Sequence, residues 1–245
     1  MIERGRLAGL EEVAGYAQDE LEAKHRAREE GLRLSRSVIR LSANAIRAVH
    51  RLDFDTARQL LQGAKENLAE TLPILESHPE IYFAGFLSDA RKEYSEGNVT
   101  LALISGAPLP HPKELVVDVA PYLNGMGEAI GELRRFILDR LRRDEGADCE
   151  RFMEVMDEIY NLLVTIDFPE GVTAGLRHTT DAMRGVLERT RGSSGGGAES
   201  GPVVQRDGSG SGSEGDIIYF IWPRRGKGAE PQESLFEFLG GRRGS

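Results

Sequence analysis

Cysteine is almost absent from the chain. Cys149 is the single one in 245 positions, so no disulfide framework can form within the molecule and no cysteine-based zinc cluster can be built. Proline is missing until Pro73. It is the strongest helix breaker, and a gap of that length favours long helices. Strand signals, meaning alternating β-branched runs between tight turns, are also missing. No run approaches the roughly 18 consecutive apolar residues of a membrane span. Met1-Ile2-Glu3-Arg4 does not open an apolar signal segment. The expectation is a cytoplasmic protein with no membrane contact. No glycine-rich phosphate loop, nucleophile elbow or Cys/His triad occurs.

Hydrophobic residues make up 40% and charged residues 29%, enough apolar material for one or two ordinary domains, which excludes a collagen-like fibre and wholesale disorder. The 31 basic and 40 acidic residues leave a net charge of −9, which argues against non-specific DNA coating. Composition changes at Arg191-Gly192. Residues 193–245 hold 13 of the 29 glycines, together with serine runs. They read as a flexible, low-complexity tail. Within it, residues 217–222 (Ile-Ile-Tyr-Phe-Ile-Trp) form a short apolar run that cannot bury itself. A partner-binding tail and an aberrant C-terminus both fit this pattern.

Residues 1–192 read as a single helical domain. Helix one is expected over about 8–51, with Leu34, Val38, Leu41, Ala45 and Val49 on one face. Helix two follows at about 54–77 behind Asp53 as its cap. The remaining four are expected at about 80–104, 119–143, 147–166 and 173–191. Six helices with mostly short connections imply an all-α bundle.

Three patterns on these helices bear on chemistry. Glu93 and Glu96 stand at i, i+3 on helix three, and Glu128 and Glu132 at i, i+4 on helix four, so each pair shares a face. Gly125, Gly127 and Gly131 sit mid-helix beside the second pair. Each costs roughly 1 kcal/mol relative to alanine, a cost that close backbone approach would explain. If the two helices pack, four carboxylates converge. Such a cluster suits Mg²⁺ or Mn²⁺, which can support phosphodiester hydrolysis. A solvated glutamate face explains the same spacing. A ferritin-like di-iron site needs two Glu-x-x-His motifs, and only Glu22-Ala23-Lys24-His25 fits. His50, His78, His111 and His178 read as scattered surface or loop residues.

The third pattern is an arginine stripe on helix one: Arg33, Arg36, Arg40, Arg47 and Arg51. Arginine binds phosphate bidentately, so the stripe suits a nucleic-acid backbone. Salt bridges to glutamates of helix two or of a neighbouring subunit also explain it, and spacing alone favours them. Arg134, Arg135, Arg140, Arg142 and Arg143 complement the C-terminal end of helix four.

Several segments together resemble the translin/Trax family in its archaeal form. They are Glu29-Glu30 through Arg36-Ser37-Val38-Ile39-Arg40, Lys92-Glu93-Tyr94-Ser95-Glu96, and Pro121-Tyr122-Leu123-Asn124-Gly125-Met126-Gly127-Glu128-Ala129-Ile130-Gly131-Glu132-Leu133-Arg134-Arg135. Met156-Asp157-Glu158-Ile159-Tyr160 and Leu187-Glu188-Arg189-Thr190-Arg191-Gly192 complete the set. The resemblance spans about residues 25–192. It implies a translin-like bundle of about six antiparallel helices that assembles into hollow homo-oligomers, often octamers. It also implies binding of single-stranded RNA or DNA on the inner surface and, in Trax-type subunits, metal-dependent endoribonuclease activity. By motif, Glu93 and Glu96 match the paired glutamates, Glu128 the catalytic aspartate and Glu132 the second metal-binding glutamate. In that assignment Glu96 and Glu132 hold Mg²⁺ or Mn²⁺, Glu93 and Glu128 complete the site, and Arg33, Arg36, Arg40 and Arg47 track phosphates. Two features depart from the family pattern. Position 128 is Glu rather than Asp, which moves the carboxylate outward by about one bond length. The last helix meets the glycine/serine tail where relatives continue it. Three readings remain: an endoribonuclease, a non-catalytic strand-binding oligomer, and a helical scaffold. Residues 1–192 alone carry 25 basic and 33 acidic groups, or −8, so an arginine track acts against the global field and salt dependence should be steep.

Overall fold

The computed structural model describes residues 8–82 and 84–194. Helix α1 spans Ala8–His50, 43 residues. At 1.5 Å per residue it is about 65 Å long. Helix α2, Phe54–Glu70, opens on Asp53, whose carboxylate accepts from the Thr56 backbone N–H at 3.2 Å and satisfies one otherwise unpaired donor of the first turn. Helix α3, Leu72–Ser77, takes up the course after a break at Thr71. The expected helix over 54–77 is therefore two pieces. Pro73 lies in the first turn of α3 and has no N–H to offer the Ala69 carbonyl, so the helix restarts there. A 3-10 turn at Pro79–Ile81 delays helix α4 to Gly85–Ser105. Helix α5 is the short Pro112–Leu115, and α6 covers Val119–Leu141. Helix α7 is Cys149–Val164, α8 is Glu170–Thr173 and α9 is Leu176–Ser194.

The fold is all-α, and no strand occurs among the described residues. No helix there is long and apolar enough to cross a membrane. The glycine/serine segment from residue 195 onward, with its apolar run at 217–222, lies outside the described residues.

Apolar periodicity explains the packing. Leu34, Val38, Ala45 and Val49 of α1 are buried against α2 and α4, while most side chains over residues 9–30 of α1 are exposed. Ile130, Leu133 and Ile137 of α6 are fully buried with Met156 of α7 and Leu176 of α9. Each such side chain stabilises the fold by about 1.5–3 kcal/mol relative to exposure.

Helices α1 and α4 run in the same direction, since Gly31 faces Phe86 and Ser42 faces Gly97 at a constant offset. Helix α6 also runs with α4. Its N-cap residue, Asp118, lies beside Arg91 in the early turns of α4, 3.8 Å away. Arg91 is buried, stacks over the Tyr82 ring at 4.4 Å, and the Tyr82 hydroxyl donates to Asp118. The segment between α4 and α6, with three prolines and α5, carries the chain back along the bundle to make this possible.

Two glycines set α6 between its neighbours. A Cβ on Gly125 would lie 2.5 Å from the Lys92 carbonyl oxygen and 2.8 Å from the Glu96 nitrogen of α4. A Cβ on Gly127 would lie 2.5 Å from Thr179 Cγ2 of α9. Both are close approaches that only glycine permits. Gly131 has no such neighbour, as nothing lies within 4 Å of its added Cβ. Buried Asn124 completes the clamp. Its amide donates to the Ala120 and Thr173 carbonyls at 2.8 and 2.9 Å, and its oxygen accepts from the Thr179 hydroxyl at 2.6 Å.

Candidate metal centre and arginine face

The Gly125 contact decides where the carboxylates meet. It seats the α6 backbone on α4 at Lys92–Glu96, with small, buried Ser95 beneath it. Glu128 follows three residues later, just under one turn. One carboxylate oxygen from each of Glu93, Glu96 and Glu128 lies within 4.8 Å of the others. All three residues are half-buried.

The electrostatics follow from that crowding. Burial pushes the Glu96 carboxyl well above its usual range, and the charges of Glu128, Glu93 and Glu132 push the same way while Lys92 opposes them. Burial also raises Glu93, against Lys92 and with Glu128, Asp89 and Glu132. Asp89 is raised by burial as well, with Lys92 opposing. For Lys92, burial disfavours the charge, but Glu128, Glu93 and Asp89 outweigh it and hold the ammonium charged. Lys92 Nζ donates to Glu128 Oε1 at 2.7 Å.

Glu132 stands one turn beyond Glu128 and is held separately. Its Oε2 is 2.5 Å from His50 Nε2 and 3.6 Å from Arg135 Nη1. The three-carboxylate set consists of hard oxygen donors brought together out of bulk water, where like charges repel. That donor chemistry fits Mg²⁺ or Mn²⁺.

The arginines of α1 are all exposed. Arg33 is tied to Glu30 on its own helix by bonds of 2.8 and 2.6 Å. Arg47 donates to Asn44 at 2.7 Å. No ion pair engages Arg36 or Arg40 among the described residues, so the expected bridges to helix-two glutamates are not what these two side chains do.

No family model matches the sequence. An uncharacterized protein of Methanocaldococcus jannaschii is 34% identical over 179 residues, which is 72% of this chain and 79% of that protein. Two solved structures match at 35% identity over 73% of this chain and 93% of theirs: AfC3PO in complex with duplex RNA, at TM-score 0.66, and AfC3PO, at TM-score 0.65. The chain belongs to the translin/C3PO family. A further translin/C3PO-type structure, apo-NeC3PO, shares the fold at 21% identity and TM-score 0.61, over 75% of this chain and 94% of its own.

Three residues of this translin/C3PO chain belong to the site and were not picked out from sequence. Sequence position alone marks His50 as a scattered surface or loop histidine. Its side chain is instead only 7% exposed, set against Glu132. Its register with Ile39, Ala43 and Ile46 on the inward side of α1 is the signal that could have found it. Lys92 and Asp89 precede Glu93 and Glu96 on α4. Neither carries a local cue, because what they meet comes partly from α6.

Proposed function

We propose that the protein is an oligomeric RNA-binding protein that cleaves RNA with the help of Mg²⁺ or Mn²⁺. Convergence of Glu93, Glu96 and Glu128 is the observation that carries the reading. A divalent cation bound there supplies Lewis-acid polarisation of a phosphoryl oxygen. Glu93, Glu96 and Glu128 are the residues that would hold it, with Glu132 adding negative charge from the next turn. His50 orients the Glu132 carboxylate.

Arg36 and Arg40, which have no ion pair among the described residues, supply guanidinium groups for phosphates, with Arg33 and Arg47 beside them. The RNA partner is supported by AfC3PO, solved in complex with duplex RNA at 35% identity to this chain. Single-stranded RNA or DNA is the substrate class that the family pattern implies. Homo-oligomer formation, in an octamer or another closed ring of subunits, is supported by family membership. It is also supported by exposed Leu10, Val13, Tyr16 and Leu21 on the outer half of α1, apolar surface that assembly would cover.

A second reading, strand binding without cutting, draws on one specific observation. Glu128 stands where the family has aspartate, and it is engaged by Lys92. Incubation of labelled single-stranded and duplex RNA with Mg²⁺, Mn²⁺ or EDTA separates the two readings. The nuclease reading expects divalent-dependent cleavage that Glu96→Gln abolishes. Retention of RNA on the protein with no cleavage under any condition would leave the binder.

A further inference from the structure

The carboxylate cluster already contains a cation of its own. Lys92 Nζ lies 2.7 Å from Glu128 Oε1, and the fields of Glu93 and Asp89 also bear on it. Among the described residues, Lys92 is the one basic side chain in ion-pair distance of Glu93, Glu96 or Glu128. It precedes Glu96 by one turn on α4, so the two share a face. Its backbone is pinned beneath Gly125, where an added Cβ would lie 2.5 Å from the Lys92 carbonyl oxygen. Its side chain is 26% exposed. The ammonium is therefore held at the cluster by structure on both sides.

We propose that Lys92 is a built-in competitor of the divalent cation: the ammonium and the metal claim the same Glu128 carboxylate, so metal loading has to displace the Lys92–Glu128 pair. The inference rests on the metal-centre reading above. Two effects act in the same direction. A positive charge among the ligands repels an incoming divalent cation. A carboxylate oxygen already accepting from an ammonium is also a poorer donor to a second cation. The extra methylene at position 128 contributes, because it lengthens the reach of the α6 carboxylate toward Lys92 relative to an aspartate. Lys92 thus tunes how much free metal the site needs before it loads.

The test is calorimetric titration of the full chain with MnCl₂, for wild type, Lys92→Met, Lys92→Gln and Lys92→Arg, each checked for helical content by circular dichroism. Lys92→Met and Lys92→Gln are expected to bind Mn²⁺ about tenfold more tightly than wild type, and Lys92→Arg, which keeps the charge, within about threefold of it. Lys92→Gln retains a polar side chain and stands in if Lys92→Met does not fold. Binding seen only in the neutral variants also supports the proposal, and it would show that the native ammonium keeps the cation out. Equal or weaker binding in the neutral variants overturns the proposal and leaves the metal centre standing. No Mn²⁺ binding by any of the four proteins overturns both.

Discussion

Gly125 of α6 rests directly on the backbone of Lys92 in α4: a Cβ added to the glycine would sit 2.5 Å from the Lys92 carbonyl oxygen. This contact brings Glu128 to Glu93 and Glu96. Gly125→Ala must push the two helices apart and should destabilise the protein by about 1–3 kcal/mol or more. It should also weaken Mn²⁺ binding. Gly131→Ala is the control. Its added methyl meets nothing within 4 Å, so it should stabilise by up to about 1 kcal/mol through helix propensity. Urea denaturation of both variants checks the pair. Equal effects would contradict the assigned contact.

Burial and neighbouring carboxylates hold Glu96 well above its ordinary value of 4.5, and burial also raises Glu93. A carboxyl whose folded pKa is raised binds its proton more tightly in the native state. Its stabilising contribution is complete below the ordinary pKa and is lost as pH rises through the folded value. The metal-free protein should therefore lose stability at this site as pH climbs from the ordinary carboxylate range toward neutrality. Glu96→Gln mimics the protonated acid. It should raise the denaturation midpoint at pH 7 in EDTA and flatten that part of the pH profile. A variant midpoint at or below wild type at pH 7 would count against the clustered geometry.

His50 and Glu132 form a half-buried hydrogen bond between α1 and α6. Among the described residues, His50→Leu leaves the carboxylate with Arg135 alone, 3.6 Å away, and should cost about 1–3 kcal/mol of stability. His50→Gln keeps a donor and should recover part of that loss. Denaturation free energies of His50→Leu, Glu132→Gln and the double variant, set against wild type, give the coupling as a double-mutant cycle.

The arginine face makes a graded prediction. Arg36 and Arg40 have no ion pair among the described residues, whereas Arg33 is held by Glu30 at 2.6 and 2.8 Å. If phosphates lie along α1, Arg36→Gln and Arg40→Gln should each reduce the slope of log affinity against log salt by about 0.7 for single-stranded RNA. Arg33→Gln should change it less. Fluorescence anisotropy at several salt concentrations measures this, and unchanged slopes in all three variants would remove α1 from the binding surface.

Much of the architecture was legible from residues alone. The long proline-free start and the apolar stripe through Leu34, Val38, Ala45 and Val49 predicted α1 to within a residue of its observed end. Gly125 and Gly127 signalled close approach, and both make it. Gly131 carried the same signal and makes none, because one glycine in a helix looks like another until a neighbour is placed beside it. The break at Thr71 escaped because apolar spacing continues across Pro73. The shared direction of α4 and α6 is set by a 13-residue connection whose path depends on where Asp118 docks against Arg91 and Tyr82. Periodicity within a helix says nothing about that. For the same reason Lys92 and His50 stayed hidden, as their partners are 36 and 82 positions away.

The central claim is that Glu93, Glu96 and Glu128 jointly hold a divalent cation. Anomalous diffraction from crystals grown with Mn²⁺ tests it without reference to turnover. The account predicts a manganese peak between α4 and α6, bonded to oxygens of these three side chains, with Lys92 Nζ withdrawn from Glu128. A peak elsewhere, or none at saturating Mn²⁺ with the Lys92–Glu128 pair intact, would contradict it.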